Sequence, residues 1–178
     1  MFIMHADAIR IHRLEAFDER EIRELSDVLI DCVEGGASVS FMLPISRATA
    51  ESFWRGVAVS AARAERIVLA ACDASGSIIG TVQILLAQPE NQPHRADVAK
   101  MLVQRRARRH GVGAALLAAA EGCARGAGKT LLVLDTASGE AERLYAKLGW
   151  QRCGIIPGYA LLPNGGLCDT TIFYRLLQ

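Results

Sequence analysis

The stretch DVAKMLVQRRARRHGVGAALLAAAEGCARGA, residues 97–127, asks for three backbone shapes in succession. Asp97 to Val103 is short and largely apolar, with a burst of arginine behind it, the pattern of a strand leaving a sheet. Ala114 to Ala127 is rich in alanine and leucine and free of proline, which predicts a buried helix. Between them, Arg108-Arg-His-Gly111-Val-Gly113 is a turn carrying two glycines. A turn of that kind, opening a helix, aims several backbone N–H groups and the positive end of the helix dipole at one bound anion.

One candidate anion is a dinucleotide, because GVGAAL begins like G-x-G-x-x-G and Asp135 follows at about the distance expected of a ribose-binding carboxylate. Against it, Leu116 stands where the third glycine belongs, and the glycines lie well beyond the end of the strand at Val103. Only one β-α-β unit is visible, so the second half of a nicotinamide site is missing.

The other candidate comes from a resemblance. Arg108, Gly111 and Gly113 match the acyl-CoA pyrophosphate loop of the GNAT superfamily of N-acetyltransferases, in which Arg or Gln is followed by two residues, Gly, one residue, then Gly or Ala. Val103 stands where the family's strand ends. The chain departs from the commoner pattern at Arg105, where many members have Pro, and at Arg109, where many have Gly. A second element, AERLYAKLGW, resembles the family's A-x-x-L-Y-x-x-L-G-F/W through Ala141, Leu144, Tyr145, Leu148, Gly149 and Trp150. The segments GGASVSFM, HRADVAKMLV, LDTASG, IPGY and PNGGL are similar to acetyltransferases that confer resistance to the β-lactam toxin tabtoxin.

Length and composition agree with one globular domain over residues 1–178. At 178 residues and 51% apolar content the chain can bury a core without staples. A net charge of +1 gives no reason to expect nucleic acid or a membrane surface. The five cysteines, 32, 72, 123, 153 and 168, are odd in number and show no C-x-x-C pairing, so neither zinc nor a disulfide framework is expected. His5, His12, His94 and His110 are scattered without metal-ligand spacing. MFIMHADAIRIHRL lacks the long apolar core of a signal peptide, and no stretch reaches the ~20 apolar residues of a membrane span, so a cytoplasmic protein is expected.

Read in order, the chain predicts a strand over Ala8–Leu14, a helix capped by Asp18 with Glu21 and ended by Gly35 and Gly36, and a second helix from about Ser46 to Ala64. A hairpin follows, Ile67–Ala71 and Ser77–Leu86 around Asp73–Gly76. The two-proline loop Gln88–His94 returns the chain antiparallel into the Asp97 strand. The Ala114 helix then crosses the sheet to Leu131–Asp135, which must run parallel to the Asp97 strand in a right-handed crossover. A last helix (Glu140–Leu148), a strand near Gln151–Ile155, the turn-rich IPGYALLPNGG and a strand near Cys168–Leu176 complete a single-domain mixed α/β fold, its central sheet mostly antiparallel and flanked by helices, as in the GNAT family.

The resemblance implies acetyl transfer from acetyl-CoA to an amino group, with no metal. A small acceptor such as an amino acid, dipeptide or toxin-like amine is expected; protein N-terminal or lysine acetylation, or a non-catalytic acyl-CoA-binding module, are the alternatives, and monomer and homodimer stay open. Strand alternation places Asp97, Ala99, Met101 and Val103 on one face, so Asp97 is a candidate base acting through water. Asp135, at the carboxyl end of the neighbouring strand, is either the second carboxylate or a cap for the next helix. Tyr145 is either the acid that protonates the departing sulfur or a core ring. Donor-binding positions implied by the family are the backbone at Met101, Leu102 and Val103, the turn Arg108, Arg109, His110, Gly111, Val112 and Gly113, and Ser138, where the family often has Asn. Phe41, Met42 and Tyr159 are candidates for the acceptor wall, with packing at the core edge as the other reading of Phe41 and Met42. The arginines at 105, 106, 108 and 109 form a solvated turn or attract a 3′-phosphate.

Overall fold

The computed structural model describes residues 9–177, so His5 and the expected strand start at Ala8 lie outside the described residues. Seven strands and four α-helices follow in the order β1 (Arg10–Leu14), α1 (Glu19–Glu34), α2 (Arg47–Ala62), β2 (Arg66–Cys72), β3 (Ile78–Leu85), β4 (Arg95–Val103), α3 (Val112–Gly126), β5 (Leu131–Thr136), α4 (Gly139–Lys147), β6 (Gln151–Leu161) and β7 (Leu167–Leu176). They form one sheet in the order β1-β2-β3-β4-β5-β7-β6. Every neighbouring pair is antiparallel except β4 and β5, which α3 connects. A dinucleotide fold needs a parallel sheet wound from repeated β-α-β units, and this topology excludes it.

Local chemistry explains the helices. At α1 the Asp18 carboxylate accepts from the Glu21 N–H at 2.7 Å, and the Glu21 carboxylate accepts from the Asp18 N–H at 2.9 Å, which satisfies two donors that the helix start leaves bare. Ser46 caps α2 by accepting from the Thr49 N–H at 3.0 Å. Helical spacing predicts buried stripes of Ile22, Leu25, Val28, Leu29, Cys32 and Val33 on α1 and of Ala50, Phe53, Trp54, Val57 and Ala61 on α2; all are buried except Phe53 and Ala61, which are half-buried.

Alternation along β2 divides the interior in two. Val68, Ala70 and Cys72 face α1 and α2, whereas Ile67, Leu69 and Ala71 face Leu116, Leu117, Ala120 and Ala124 of α3. Tyr145 and Trp150 join the α3 side together with Phe173. The sheet is thus covered on both faces over β2 and β3, which accounts for the apolar run IVLAAC of β2.

Two expectations need correction. Residues 156–161 are not turn: β6 continues to Leu161, with a register shift between Ile156 and Ala160, and the reversal is confined to Leu162–Gly166. Pro157 and Gly158 signal a turn in sequence, but β6 is an edge strand, where a bulge accommodates both. The second correction concerns β4. Ala96 and Val98 pack on the α3 side, as do Met101 and Val103, so alternation inverts between them. The cause is a register shift opposite β3, between Thr81 and Gln83, where Lys100 takes φ +48°. Asp97 and Ala99 therefore face away from Met101 and Val103.

Leu116 is fully buried, and its Cδ1 lies near Gly80 of β3. Leu116→Ala should cost about 2–5 kcal/mol of unfolding free energy by denaturant titration, since helix and sheet cannot close on the void.

Candidate active site

Strands β4 and β5 pair only through Arg95 with Leu131, Ala96 with Leu132 and Asp97 with Val133. Beyond that point they part, and a cleft of about 970 Å³ opens between them. Its walls are Val98–Val103 of β4, the turn before α3, the end of β5, the start of α4, the α1–α2 loop and the β6–β7 hairpin. Lodging the bulge at Lys100 bends β4 at the point where the strands separate.

The turn is anchored from three directions. A single 3-10 turn at Arg105–Ala107 follows β4. Arg105 donates its backbone N–H (2.7 Å) and its Nε (2.9 Å) to the two carboxylate oxygens of Asp31 on α1. Arg108 Nε donates to the Val103 carbonyl at 3.2 Å, and the Cys32 thiol donates to the same oxygen at 3.5 Å. Arg109 has φ +64° and Gly111 φ +83°, with Gly111 the N-cap of α3. The N–H groups of Arg109, His110 and Gly111 make no hydrogen bond to protein among the described residues. Bare amides in positive-φ backbone, at the N-terminus of a 15-residue helix, form an anion cradle. Of the expected turn residues, Arg108, Arg109, Gly111, Val112 and Gly113 line the cleft; the His110 side chain is exposed and does not. Arg106 lies 3.7 Å from Asp73, and Arg109 lies 3.7 Å from Glu140.

The expected donor-binding strand residues Met101, Leu102 and Val103 all line the cleft, with the Leu102 side chain buried among α1 and α2. Ser138 lines it too, but its hydroxyl is the N-cap of α4, accepting from the Ala141 N–H at 3.3 Å.

The three expected catalytic residues are not brought together. Asp97 shares a sheet face with Asp135, yet it pairs with Val133, two residues short of it, and is not part of the cleft wall. Arg95 Nη1 holds one of its oxygens at 2.6 Å and Gln88 Nε2 the other at 3.1 Å. Asp135, by contrast, lines the cleft, and the hydroxyl of buried Thr170 on β7 donates to its Oδ2 at 2.8 Å. Tyr145 also lines it at 4% exposure, its ring against Trp150 and Phe173. Burial, followed by the negative charge of Asp135, pushes the Tyr145 hydroxyl well above its ordinary pKa, so it is held as a neutral donor.

Sequence reading missed two residues of this constellation. Thr170 looked like an ordinary β-branched strand residue, and nothing short of the β5–β7 register reveals its partner. Lys100 stood one residue off the expected face; the signal was its charge inside an otherwise apolar strand.

At the acceptor end, Phe41 packs edge-on against Phe53 with centroids 5.3 Å apart, and both it and the half-exposed Met42 line the cleft, as does Tyr159. Ser38 donates to the Leu161 carbonyl (3.0 Å), and the Leu43 N–H donates to that of Pro163 (2.8 Å). These bonds tie the α1–α2 loop to the β6–β7 hairpin. Among the described residues no cluster of His, Cys, Asp and Glu could hold a metal ion, and no helix is long and apolar enough to cross a membrane.

The sheet thus parts beside a turn of bare amides, with a carboxylate and a phenol on the cleft wall. The family model of the acetyltransferase (GNAT) domain matches residues 63–152, just over half the chain, and the protein belongs to that family. An uncharacterized N-acetyltransferase from the hisH-hisA intergenic region of Azospirillum brasilense is 29% identical over 129 residues, 71% of this chain and 74% of that one. In fold the chain is similar to yncA, a candidate acetyltransferase of Salmonella typhimurium solved with its cofactor acetyl-CoA (TM-score 0.76, 16% identity, 97% of this chain and 95% of that chain). It is likewise similar to a ribosomal-protein-alanine N-acetyltransferase of Brucella melitensis (TM-score 0.74, 20% identity, 96% and 99%).

At Gly113 an added Cβ would come within 3.0 Å of Leu144 Cδ2 and 3.4 Å of Met101 Cε. Gly113→Ala should therefore crowd the Leu144 and Met101 side chains between α3, α4 and β4, with a destabilisation of about 1 kcal/mol in denaturant unfolding.

Proposed function

We propose that the protein transfers the acetyl group of acetyl-CoA to the amino group of a small acceptor. The observation that carries this reading is one cleft with the bare N–H turn on one wall and Asp135 and Tyr145 on another. Family membership and the acetyl-CoA of the Salmonella protein support it. The donor set fits: amides of Arg109–Gly113 for a pyrophosphate, and the parted edge of β4 at Met101–Val103 for an extended, amide-bearing arm.

Amine acetylation requires an unprotonated nitrogen, and Asp135 is the carboxylate placed to take that proton, directly or through water. Thr170 fixes its orientation by occupying Oδ2. Asp97, engaged by Arg95 and Gln88, is left out of the reaction. Tyr145 serves the sulfur. Because its pKa stands far above the ~8.5 of a thiol, the hydroxyl stabilises a leaving thiolate as a hydrogen-bond donor and need not surrender its proton completely.

Acceptor size follows from the straps Ser38–Leu161 and Leu43–Pro163, which close that end of the cleft and disfavour an extended peptide. Together with the tabtoxin-type resemblance of the α1–α2 loop and β6–β7 hairpin, they favour an amino acid, dipeptide or similar zwitterion. A CoA-release assay over amines, amino acids, dipeptides and N-terminal peptides tests this; turnover of peptide N-termini alone would sink it.

The two carboxylates should separate kinetically. Asp135→Asn should lower kcat/KM by about 10² or more with acetyl-CoA affinity unchanged, while Asp97→Asn stays within about twofold. Equal losses in both would restore Asp97 to the mechanism. Tyr145→Phe keeps the ring packing and should lower turnover about tenfold, measured under single-turnover conditions so that product release does not mask the chemical step. An unchanged single-turnover rate would make Tyr145 a core residue only.

A further inference from the structure

Lys100 lines the cleft in a state that acetyl transfer by Asp135 and Tyr145 does not explain. Among the described residues four non-glycine residues have positive φ, and three of them, Ser40 (+77°), Lys100 (+48°) and Arg109 (+64°), line this cleft. Left-handed backbone is unfavourable for a long side chain and persists where surrounding structure enforces it, which is most often at binding sites. Two of the three meet each other: Lys100 Nζ donates to Ser40 Oγ at 3.2 Å, bridging β4 to the α1–α2 loop. The same ammonium lies 5.8 Å from the centre of the Phe53 ring.

A hydroxyl and an aromatic face solvate an ammonium only in part. The ion pair on the cleft wall among the described residues, Arg109 with Glu140, uses another cation, as do the pairs of Arg95 with Asp97 and Arg105 with Asp31 outside it. Among the described residues Lys100 forms no ion pair with a carboxylate; the hydrogen bond to Ser40 is its polar contact. Burial lowers its pKa, the negative charge of Asp135 opposes that, and Arg66 adds to the lowering. A cation partly drawn out of water and without a paired carboxylate is disfavoured, so an arriving anion gains more there than at the surface. The cleft thus presents a cation from β4 and a carboxylate from β5 on either side of the gap between the strands.

We propose that Lys100 is the specificity-determining residue for the acceptor, binding a carboxylate of the acceptor molecule while its amine is presented to Asp135. This rests on the acetyl-transfer reading and adds to it a named contact. Ser40 then orients the ammonium, and the bulge in β4 presents that side chain to the cleft. An arginine keeps the charge but replaces a compact ammonium by a broad planar fork that meets Ser40 and Phe53 in a different geometry, so it should recover part of the selectivity.

The test compares free L-amino acids and dipeptides with their C-terminal carboxamides, for wild type, Lys100→Met and Lys100→Arg, with acetyl-CoA as donor. Wild type should favour the acid over its amide by at least about tenfold in kcat/KM, chiefly through KM. In Lys100→Met the preference should vanish through loss on the acid, with Lys100→Arg between; acetyl-CoA affinity reports that the variants are folded. A second measurement needs no turnover: the Lys100 Cε resonance, followed by NMR with ¹³C-labelled lysine, should move on titration with the acids and stay still with the amides. A preference that survives Lys100→Met, equal use of acid and amide by wild type, or a Cε resonance indifferent to carboxylates each overturns the proposal. So does acetylation of Lys100 itself on incubation with acetyl-CoA alone, which would make it a nucleophile. Loss of acetyl-CoA binding in wild type would instead bring down the acetyl-transfer reading, while the NMR titration would still decide whether Lys100 binds carboxylates.

Discussion

The separation of β4 from β5 is the constraint on which the molecule depends. After three residue pairs the only parallel contact in the sheet ends, and six residues of β4 lose the neighbour that a continuous sheet would provide. Backbone groups freed in this way are expensive unless a ligand or water meets them. The site is therefore a consequence of the sheet's geometry, and the helices are placed to support it. Anchoring of the turn to α1 through Asp31 and Arg105, and of α3 to β3 through Leu116, holds the bare amides at the cleft mouth.

Charge is distributed in the cleft with economy. The amides before α3 supply positive potential without a titrating group, Lys100 adds a positive charge from β4, and Asp135 is a carboxylate on β5 across the gap. Asp97 and Asp135 illustrate how environment separates two chemically identical groups. One is engaged by a guanidinium and an amide at the closed end of the strand pair; the other, with a single hydroxyl on one oxygen, keeps lone pairs toward the cleft. Tyr145 shows the complementary effect, since the burial that makes its ring a core element also keeps its hydroxyl protonated.

Much of this was legible before any coordinates. The capping box of Asp18 and Glu21, the stripe from Ile22 to Val33, the hairpin around Asp73–Gly76 and the glycine turn before α3 all follow from local rules acting over a few residues. The parallel placement of β5 beside β4 followed from chain connectivity. Where reading failed, a bulge was the cause. One at Lys100 turned Asp97 off the face shared by Met101 and Val103, and another after Ile156 kept Pro157 and Gly158 inside a strand. A bulge is one residue of slack between two strands, and no single strand's sequence reports it.

The sequence alone determined the kind of backbone at most segments, the α/β order and the glycine turn before α3, because helix periodicity, caps and glycine conformations are decided within a few residues of each other. Only the tertiary structure decided which side chains share the cleft. Thr170 reaches Asp135 across 35 residues and Lys100 reaches Ser40 across 60, contacts that exist solely through strand register and the docking of a loop. Register is set by the fit of whole faces, and shifting it by one residue exchanges the inside and outside of a strand. That is why the same alternation rule described β2 correctly and misplaced Asp97 on β4.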